Sequence, residues 1–202
     1  MGNSLQVMQL QSAVERGDLE RVRLLLECSQ SERLLNARDR WNNTPLHAAA
    51  FYGHVAVVEH LLQCKAPVDA TNELQNTRLH IAALHILVYV AEVLLVHGGA
   101  TVDCRNGKLE TPLHFAALTG AGHMAALLLH HKAAVDSTDI EGNTPLHKTA
   151  GCVRERTAVA ELLLQHGADA RALNNQQQTA LTLAQQQGRQ GVVELLQGVQ
   201  QQ

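Results

Sequence analysis

The side chains that most suggest chemistry in this chain are its histidines, since twelve of them stand beside four dispersed cysteines. Histidine and cysteine bind zinc when they lie at ligand spacing, and histidine also serves as a general base. The cysteines, at positions 28, 64, 104 and 152, form no CxxC pair. His130 and His131 are adjacent and point in different directions on a helix, while His123 lies too far from His130 to share one ion with it. The pattern predicts no metal site and no bound cofactor.

The sequence also has neither the motifs of common enzyme classes nor the charge pattern of a nucleic-acid-binding or membrane-binding protein. The sequence has no GxSxG elbow, no P-loop and no GxGxxG, so we expect no enzyme activity. A net charge of −3 gives no reason to expect nucleic acid or an anionic membrane as partner. The most apolar run, residues 81–96, is short for a bilayer and contains His85 and Glu92. We expect a monomeric intracellular protein, cytoplasmic or nuclear, with reduced thiols.

Four of the twelve histidines belong to a repeated phrase. The phrase TPLH occurs at 44–47, 111–114 and 144–147, and related phrases begin at Thr77 and Thr179. The five threonines are 33, 34, 33 and 35 residues apart, and each is followed by an alanine-rich run and then a leucine-rich run. A divergent copy covers residues 13–27. Six units therefore account for nearly the whole chain.

Each unit predicts a pair of helices. Threonine is a good N-cap, and proline directly after it suits the first helical position. The alanines allow close packing, and a glycine nine residues after the threonine, such as Gly53 or Gly120, ends the first helix. Valine and leucine then form the buried side of a second helix. Helices this short are unstable alone, so the units must stack.

The phrase T-P-L-H-x-A with a 33-residue period closely resembles the ankyrin repeat. The resemblance implies an all-α solenoid, a single domain over 1–202, in which β-turn fingers project from stacked helix-turn-helix units. It also implies a structural role for the histidines of the phrase, His47, His80, His114 and His147, and a hydroxylation site at Asn36. The expected units are an N-terminal cap at about 5–36, then 37–69, 70–103, 104–136, 137–171, and a C-terminal cap at 172–198.

Three features depart from the repeat pattern. In the third unit Arg78 replaces the proline, and Ile86 and Leu87 replace Gly-His, so we expect a reshaped turn or a longer first helix. These apolar residues either pack against neighbouring units or, with Tyr89, form an exposed contact patch. The fifth unit has two extra residues around 151–157, which predicts a longer surface loop. Only one finger keeps its glycine, Gly142, so several fingers should be less ideal than those of a consensus array.

Function in such arrays is expected at positions that the scaffold does not need, namely the finger tips and the exposed end of each first helix. Three of the five aromatic residues of the chain fall on such positions of the second unit, and they either form a binding site or cover their own turn and the neighbouring helix. The candidate partner-binding residues are Arg40, Trp41, Asn43, Phe51, Tyr52, Glu73, Leu74, Leu84, His85, Lys108, Glu110, Leu118, Ile140 and Glu141.

The sequence therefore predicts a non-catalytic protein–protein interaction module. By resemblance, it would bind a peptide or a folded protein on the concave face formed by fingers and inner helices, as an adaptor, inhibitor or scaffold. The alternative is a structural protein that self-assembles through the apolar third repeat.

Overall fold

A computed structural model describes residues 2–27, 31–151 and 157–200, which form thirteen helices and no strand. The chain divides into two compact units, residues 1–101 and 102–202. The helices of the first unit are α1 (Gly2–Arg16), α2 (Leu19–Leu26), α3 (Ser31–Leu35), α4 (Pro45–Phe51), α5 (Val55–Gln63), α6 (Arg78–Leu84) and α7 (Val88–Val96). Those of the second are α8 (Pro112–Thr119), α9 (Gly122–His130), α10 (Pro145–Gly151), α11 (Thr157–Gln165), α12 (Ala180–Gln186) and α13 (Gln190–Gln200).

Each compact unit contains two layers of helices. In the first unit α4 packs between α1 and α6, and α5 packs between α2 and α7. In the second unit α10 lies between α8 and α12, and α11 between α9 and α13. The alanine pairs of the inner layer, such as Ala49 and Ala50, are fully buried, as their small size predicts. No helix in the described part of the chain is both long and apolar enough to cross a bilayer.

The repeated TPLH phrase builds the start of each inner helix. His47 Nδ1 accepts a hydrogen bond from the Thr44 amide at 2.9 Å, and its Nε2 donates to the carbonyl of Asn76 in the next finger. The same capping box is present at Thr77 with His80 and at Thr111 with His114. Burial, and after it the neighbouring charge of Arg78, lower the pKa of His47 to about 3, so the ring is neutral. The predicted structural role of these histidines is confirmed.

Arg78, which replaces the proline of the phrase, is the largest fully buried side chain of the described residues. One guanidinium nitrogen donates to the carbonyls of Val68 and Ala70, each at 2.6 Å, and the other terminal nitrogen donates to Thr44 Oγ1 at 2.7 Å. The side chain therefore ties the segment that leads into the finger of its own repeat to the helix start of the preceding repeat. Burial lowers the pKa of Arg78 to about 9, and repulsion from Arg38 contributes in the same direction.

The turn between α6 and α7 corrects one prediction. We expected Ile86 to reshape this turn or to lengthen α6, but α6 ends at Leu84 and Ile86 takes the left-handed conformation, with φ of 60°. Its turn repeats the hydrogen bonds of the turn at Gly53, where φ is 72°. The two packed helices fix the turn, so the β-branched residue accepts a strained conformation. Leu87 lies against Gly53, while Ile86 and Tyr89 are exposed.

The finger turns also share one backbone conformation. The residues at the position of Gly142 all adopt positive φ, at 58–61°: Asn42, Gln75, Leu109 and Gln177. The fingers therefore keep the same backbone conformation without glycine, although it is a strained one for other side chains. The extra residues predicted to lengthen the loop at 151–157 fall largely on 152–156, outside the described residues.

Candidate functional site

Each finger is organised by one acidic or amide side chain five residues before the helix-capping threonine. Asp39 Oδ1 accepts hydrogen bonds from the amides of Trp41 and Asn43, both at 2.8 Å. This closes the turn and holds Trp41 at its tip. Equivalent pairs of bonds form in the other four fingers at Asn72, Asn106, Asp139 and Asn174. Sequence reasoning missed these residues, although their constant offset from the threonine was visible.

Neighbouring fingers are joined by their backbones. In the first compact unit the Glu73 amide donates to the Trp41 carbonyl at 3.2 Å. In the second, Ile140 donates to Lys108 and Asn175 donates to Glu141, both at 2.9 Å. The finger tips are therefore held at fixed positions, which preorganises the side chains that they carry.

The first compact unit contains a cleft of about 280 Å³, which we call the aromatic cleft. It lies between the finger tip, the end of α4 and the neighbouring helices α1 and α6. Trp41, Phe51 and Tyr52 form its aromatic walls, and each of them is about half exposed, at 50–51%. The remaining lining residues are Gln11, Glu15, Asp39, Asn43, His47, Ala48 and Ile81.

The aromatic side chains of this cleft contact one another and their neighbours in defined geometries. The Phe51 ring meets Tyr52 edge-on with centroids 5.2 Å apart, and it meets His85 in the same manner at 4.8 Å. The Arg40 guanidinium lies over the Trp41 ring, 3.9 Å from its centroid, a favourable cation–π arrangement. Five of the predicted binding residues, Arg40, Trp41, Phe51, Tyr52 and His85, are thus brought together.

The other predicted residues of this compact unit differ in exposure. Leu74 is exposed at its finger tip beside Glu73, and Leu84 is exposed at the end of α6. Asn43 is less available than predicted, because its side chain donates to Asp39 Oδ2 at 3.0 Å and is half-buried. Asn43 therefore supports the finger as well as lining the cleft.

In the second compact unit the structure brings Leu118 and Glu141 together at a cleft of about 250 Å³. Ile140 and Lys108 are exposed at finger tips. Glu110 is not a free charge, because Lys148 Nζ lies 3.2 Å from its carboxylate and 2.6 Å from that of Asp139. Sequence reasoning missed Lys148, which reaches Glu110 from 38 positions away. We call Lys148, Asp139 and Glu110 the internal ion cluster.

The internal ion cluster shifts the pKa values of its members. Burial by itself opposes the charge of Asp139, but hydrogen bonds from Lys148 and from the Asn143 amide outweigh it and lower the pKa of that carboxyl. Burial likewise opposes the charge of Lys148, yet its bond to Asp139 raises its pKa overall. Both groups are therefore ionised at neutral pH. Within residues 2–27, 31–151 and 157–200, no group of three or more His, Cys, Asp or Glu side chains could hold a metal ion.

Comparison with known proteins identifies the family. A family model described as ankyrin repeats (3 copies) matches residues 10–106, 79–170 and 126–201. The chain belongs to the ankyrin-repeat family. A solved ankyrin repeat protein, EF0377, superposes with a TM-score of 0.86 over 95% of this chain and 97% of that one, at 23% identity, which confirms the fold. A second solved structure is the complex of the predatory endopeptidase Bd0816 from Bdellovibrio bacteriovorus with the immunity protein Bd3460. One of its chains superposes with a TM-score of 0.81, at 29% identity over 94% of this chain and 97% of that one.

Several larger proteins contain a similar segment. The ankyrin repeat and SOCS box protein 16 of Homo sapiens is 36% identical over 75% of this chain and 35% of its own length. The nuclear factor NF-kappa-B p105 subunit of Mus musculus is 37% identical over 67% of this chain and 14% of its own. The palmitoyltransferase AKR1 of Lachancea kluyveri is 33% identical over 63% of this chain and 18% of its own. This chain therefore spans at most about a third of these relatives.

The family defines a general function. Ankyrin repeats are generally protein–protein interaction modules, and their fold is generally non-catalytic.

Proposed function

We propose that this chain is a non-catalytic interaction module that binds a peptide or a folded protein through its finger tips and inner helices, with the aromatic cleft as the principal contact. The aromatic cleft carries this proposal. Three of the five aromatic residues of the chain surround it and remain half exposed. Tryptophan and tyrosine are enriched among binding hot spots, where truncation costs about 2 kcal/mol or more.

The rigidity of the cleft supports the same proposal. Asp39 fixes the finger that carries Trp41, and Phe51 is held between Tyr52 and His85. A partner that meets side chains already in place loses little conformational entropy at the contact surface. The solved complex of an endopeptidase with an immunity protein, which contains a chain of similar fold, is consistent with protein binding by such an array.

The experiment is an affinity capture from cell extract that compares the native chain with Trp41→Ala/Tyr52→Ala. Tyr89→Ala is a matched control, because it removes a tyrosine that is 76% exposed and lies outside the cleft. We expect a protein retained by the native chain and by Tyr89→Ala to be lost from the double variant. Circular dichroism verifies that all three are folded. Retention of the same proteins by the double variant would contradict the cleft as the contact site.

Self-association through the third repeat is the second candidate function. It is favoured by the exposure of Ile86 and Tyr89, at 50% and 76%. Sedimentation equilibrium over a wide concentration range tests it, with Ile86→Gln/Tyr89→Ala as the comparison. An increasing mass that the double variant abolishes supports assembly through this face, whereas a constant monomer mass excludes it.

A further inference from the structure

The two compact units contain the same local arrangement with one difference that points to a ligand. In the second unit, Asp139 stands five residues before Thr144, and Lys148 stands four residues after it. In the first unit, Asp39 stands five residues before Thr44, but Ala48 occupies the place of Lys148. The second unit supplies its own cation to the aspartate, and the first unit does not.

The hydrogen bonds of the two aspartates are otherwise alike. Oδ1 of Asp139 accepts from the amides of Glu141 and Asn143, as Oδ1 of Asp39 accepts from the finger amides at the same offsets. In both fingers Oδ2 accepts from the following asparagine side chain. The Oδ2 of Asp139 in addition meets Lys148 Nζ at 2.6 Å. Among the described residues, no lysine or arginine forms an ion pair with Asp39.

The aromatic cleft surrounds the place that a lysine would fill. Ala48 and Asp39 both line it, as does Glu15, and no lysine or arginine is among its lining residues. His47 also lines it, but its lowered pKa keeps it neutral. Phe51 and Ile81 provide apolar walls, which suit the methylene stem of lysine, while an ammonium group suits the carboxylates and aromatic faces.

We propose that the aromatic cleft binds a lysine side chain of the protein partner, with its ammonium group on Asp39 Oδ2 in the position that Lys148 takes on Asp139. The partner's lysine forms with Asp39, between two molecules, the ion pair that Lys148 forms with Asp139 within the chain. Glu15 adds a second carboxylate on the α1 side, where its Oε1 accepts from Gln11 at 3.2 Å. The inference rests on the proposed function, and it assigns the chemistry of the partner at that site.

Because the chain has one tryptophan, its indole N–H gives one unambiguous NMR signal inside the cleft. The probes are acetyl-Gly-Lys-Gly-amide and the same tripeptide with norleucine or arginine at the centre. Norleucine keeps the stem of lysine and removes the charge. We expect the lysine tripeptide to shift the Trp41 signal saturably and the norleucine tripeptide to bind at least about threefold more weakly. Equal affinity of the two overturns the proposal, and tighter binding of the arginine tripeptide overturns the choice of lysine.

Two variants test the position of the charge. Asp39→Asn keeps the finger, since asparagine occupies the equivalent place at three other fingers, and it should weaken lysine binding about threefold to tenfold. Ala48→Lys copies Lys148 and should abolish lysine binding by filling the site from within. Unchanged affinity in either variant overturns the proposal.

Captured partners separate this inference from the proposed function. A partner lost from Trp41→Ala/Tyr52→Ala but bound normally by Asp39→Asn leaves the proposed function intact and refutes the lysine contact. Binding of the lysine tripeptide that depends on Asp39, with no partner dependent on Trp41 and Tyr52, supports lysine recognition at Asp39. It refutes the cleft as the protein-binding site, and with it a partner's lysine as the occupant.

Discussion

Arg78→Pro would restore the TPLH phrase in the third repeat, and a consensus argument predicts that it stabilises the array. Proline suits the first position of a helix and restricts the unfolded chain, which contributes about 0.4–1 kcal/mol where the native backbone is compatible. The structure leads us to expect the opposite, because Arg78 is completely buried and donates hydrogen bonds to Val68, Ala70 and Thr44.

The magnitude follows from those three bonds. At the low end of the range for hydrogen bonds to a charged group, about 1.5 kcal/mol each, they contribute about 4–5 kcal/mol together. Burial of the guanidinium offsets part of this, as the pKa of Arg78, lowered to about 9 from its ordinary value, indicates. The gain from proline offsets a further part. We expect Arg78→Pro to lower the free energy of unfolding by about 2 kcal/mol.

Urea denaturation followed by circular dichroism at pH 7 measures this change. Arg105→Ala is the matched control, because Arg105 is exposed and donates a single 3.2 Å bond to the Thr138 carbonyl. Its loss should change the free energy of unfolding by about 0.5 kcal/mol or less. Equal or greater stability of Arg78→Pro relative to the native chain would refute the view that the buried guanidinium holds the two repeats together.

Two further predictions concern stability. Ile86→Gly should raise the free energy of unfolding by about 1 kcal/mol, because it relieves the strain of a half-exposed β-branched residue in the left-handed conformation. An unchanged or lower urea midpoint would argue against this strain. Lowering the pH from 8 to 5 should cost about 2 kcal/mol at His47 alone. The unfolded histidine, with a pKa near 6.5, takes up a proton that the native ring, with a pKa of about 3, does not bind, so stability is lost as the pH falls through that window. Urea midpoints at pH 8, 6 and 5 should show this dependence, and His47→Asn should reduce it; an unchanged slope in the variant would contradict the assignment.

The repeat pattern predicted the parts of the fold that depend on local sequence. Thr44 and His47 cap their helix as expected, because capping needs only residues three positions apart and a fixed backbone. The failure at Ile86 has a physical cause. Local preference disfavours its positive φ, but packing of α6 against α7 fixes the turn and outweighs about 1–2 kcal/mol of strain.

The candidate site could be predicted only in outline. The expectation that function lies at the finger tips and at the exposed end of each first helix located Trp41 and Tyr52, which the structure places around one cleft. It did not locate Lys148, because that residue lies four positions after its threonine, between the finger tip and the exposed end of the first helix that were considered. The bond from Lys148 to Glu110 spans two fingers, so it depends on how successive repeats stack and cannot be derived from one repeat alone.

The position four residues after each threonine holds a chemically different side chain in successive repeats. Its occupants are Ala48, Ile81, Phe115, Lys148 and Leu183. Lys148 closes its site with an internal ion pair, whereas Ala48 leaves an aspartate and three aromatic side chains around an open cleft. The scaffold holds both positions in the same way, so the side chain at this position decides whether the charge of the finger is satisfied within the chain or by a partner. Exchanging the two residues, Ala48→Lys with Lys148→Ala, should therefore move lysine binding from the first compact unit to the second. If the lysine tripeptide still binds at Trp41 in that double variant, the residue at this position does not control recognition.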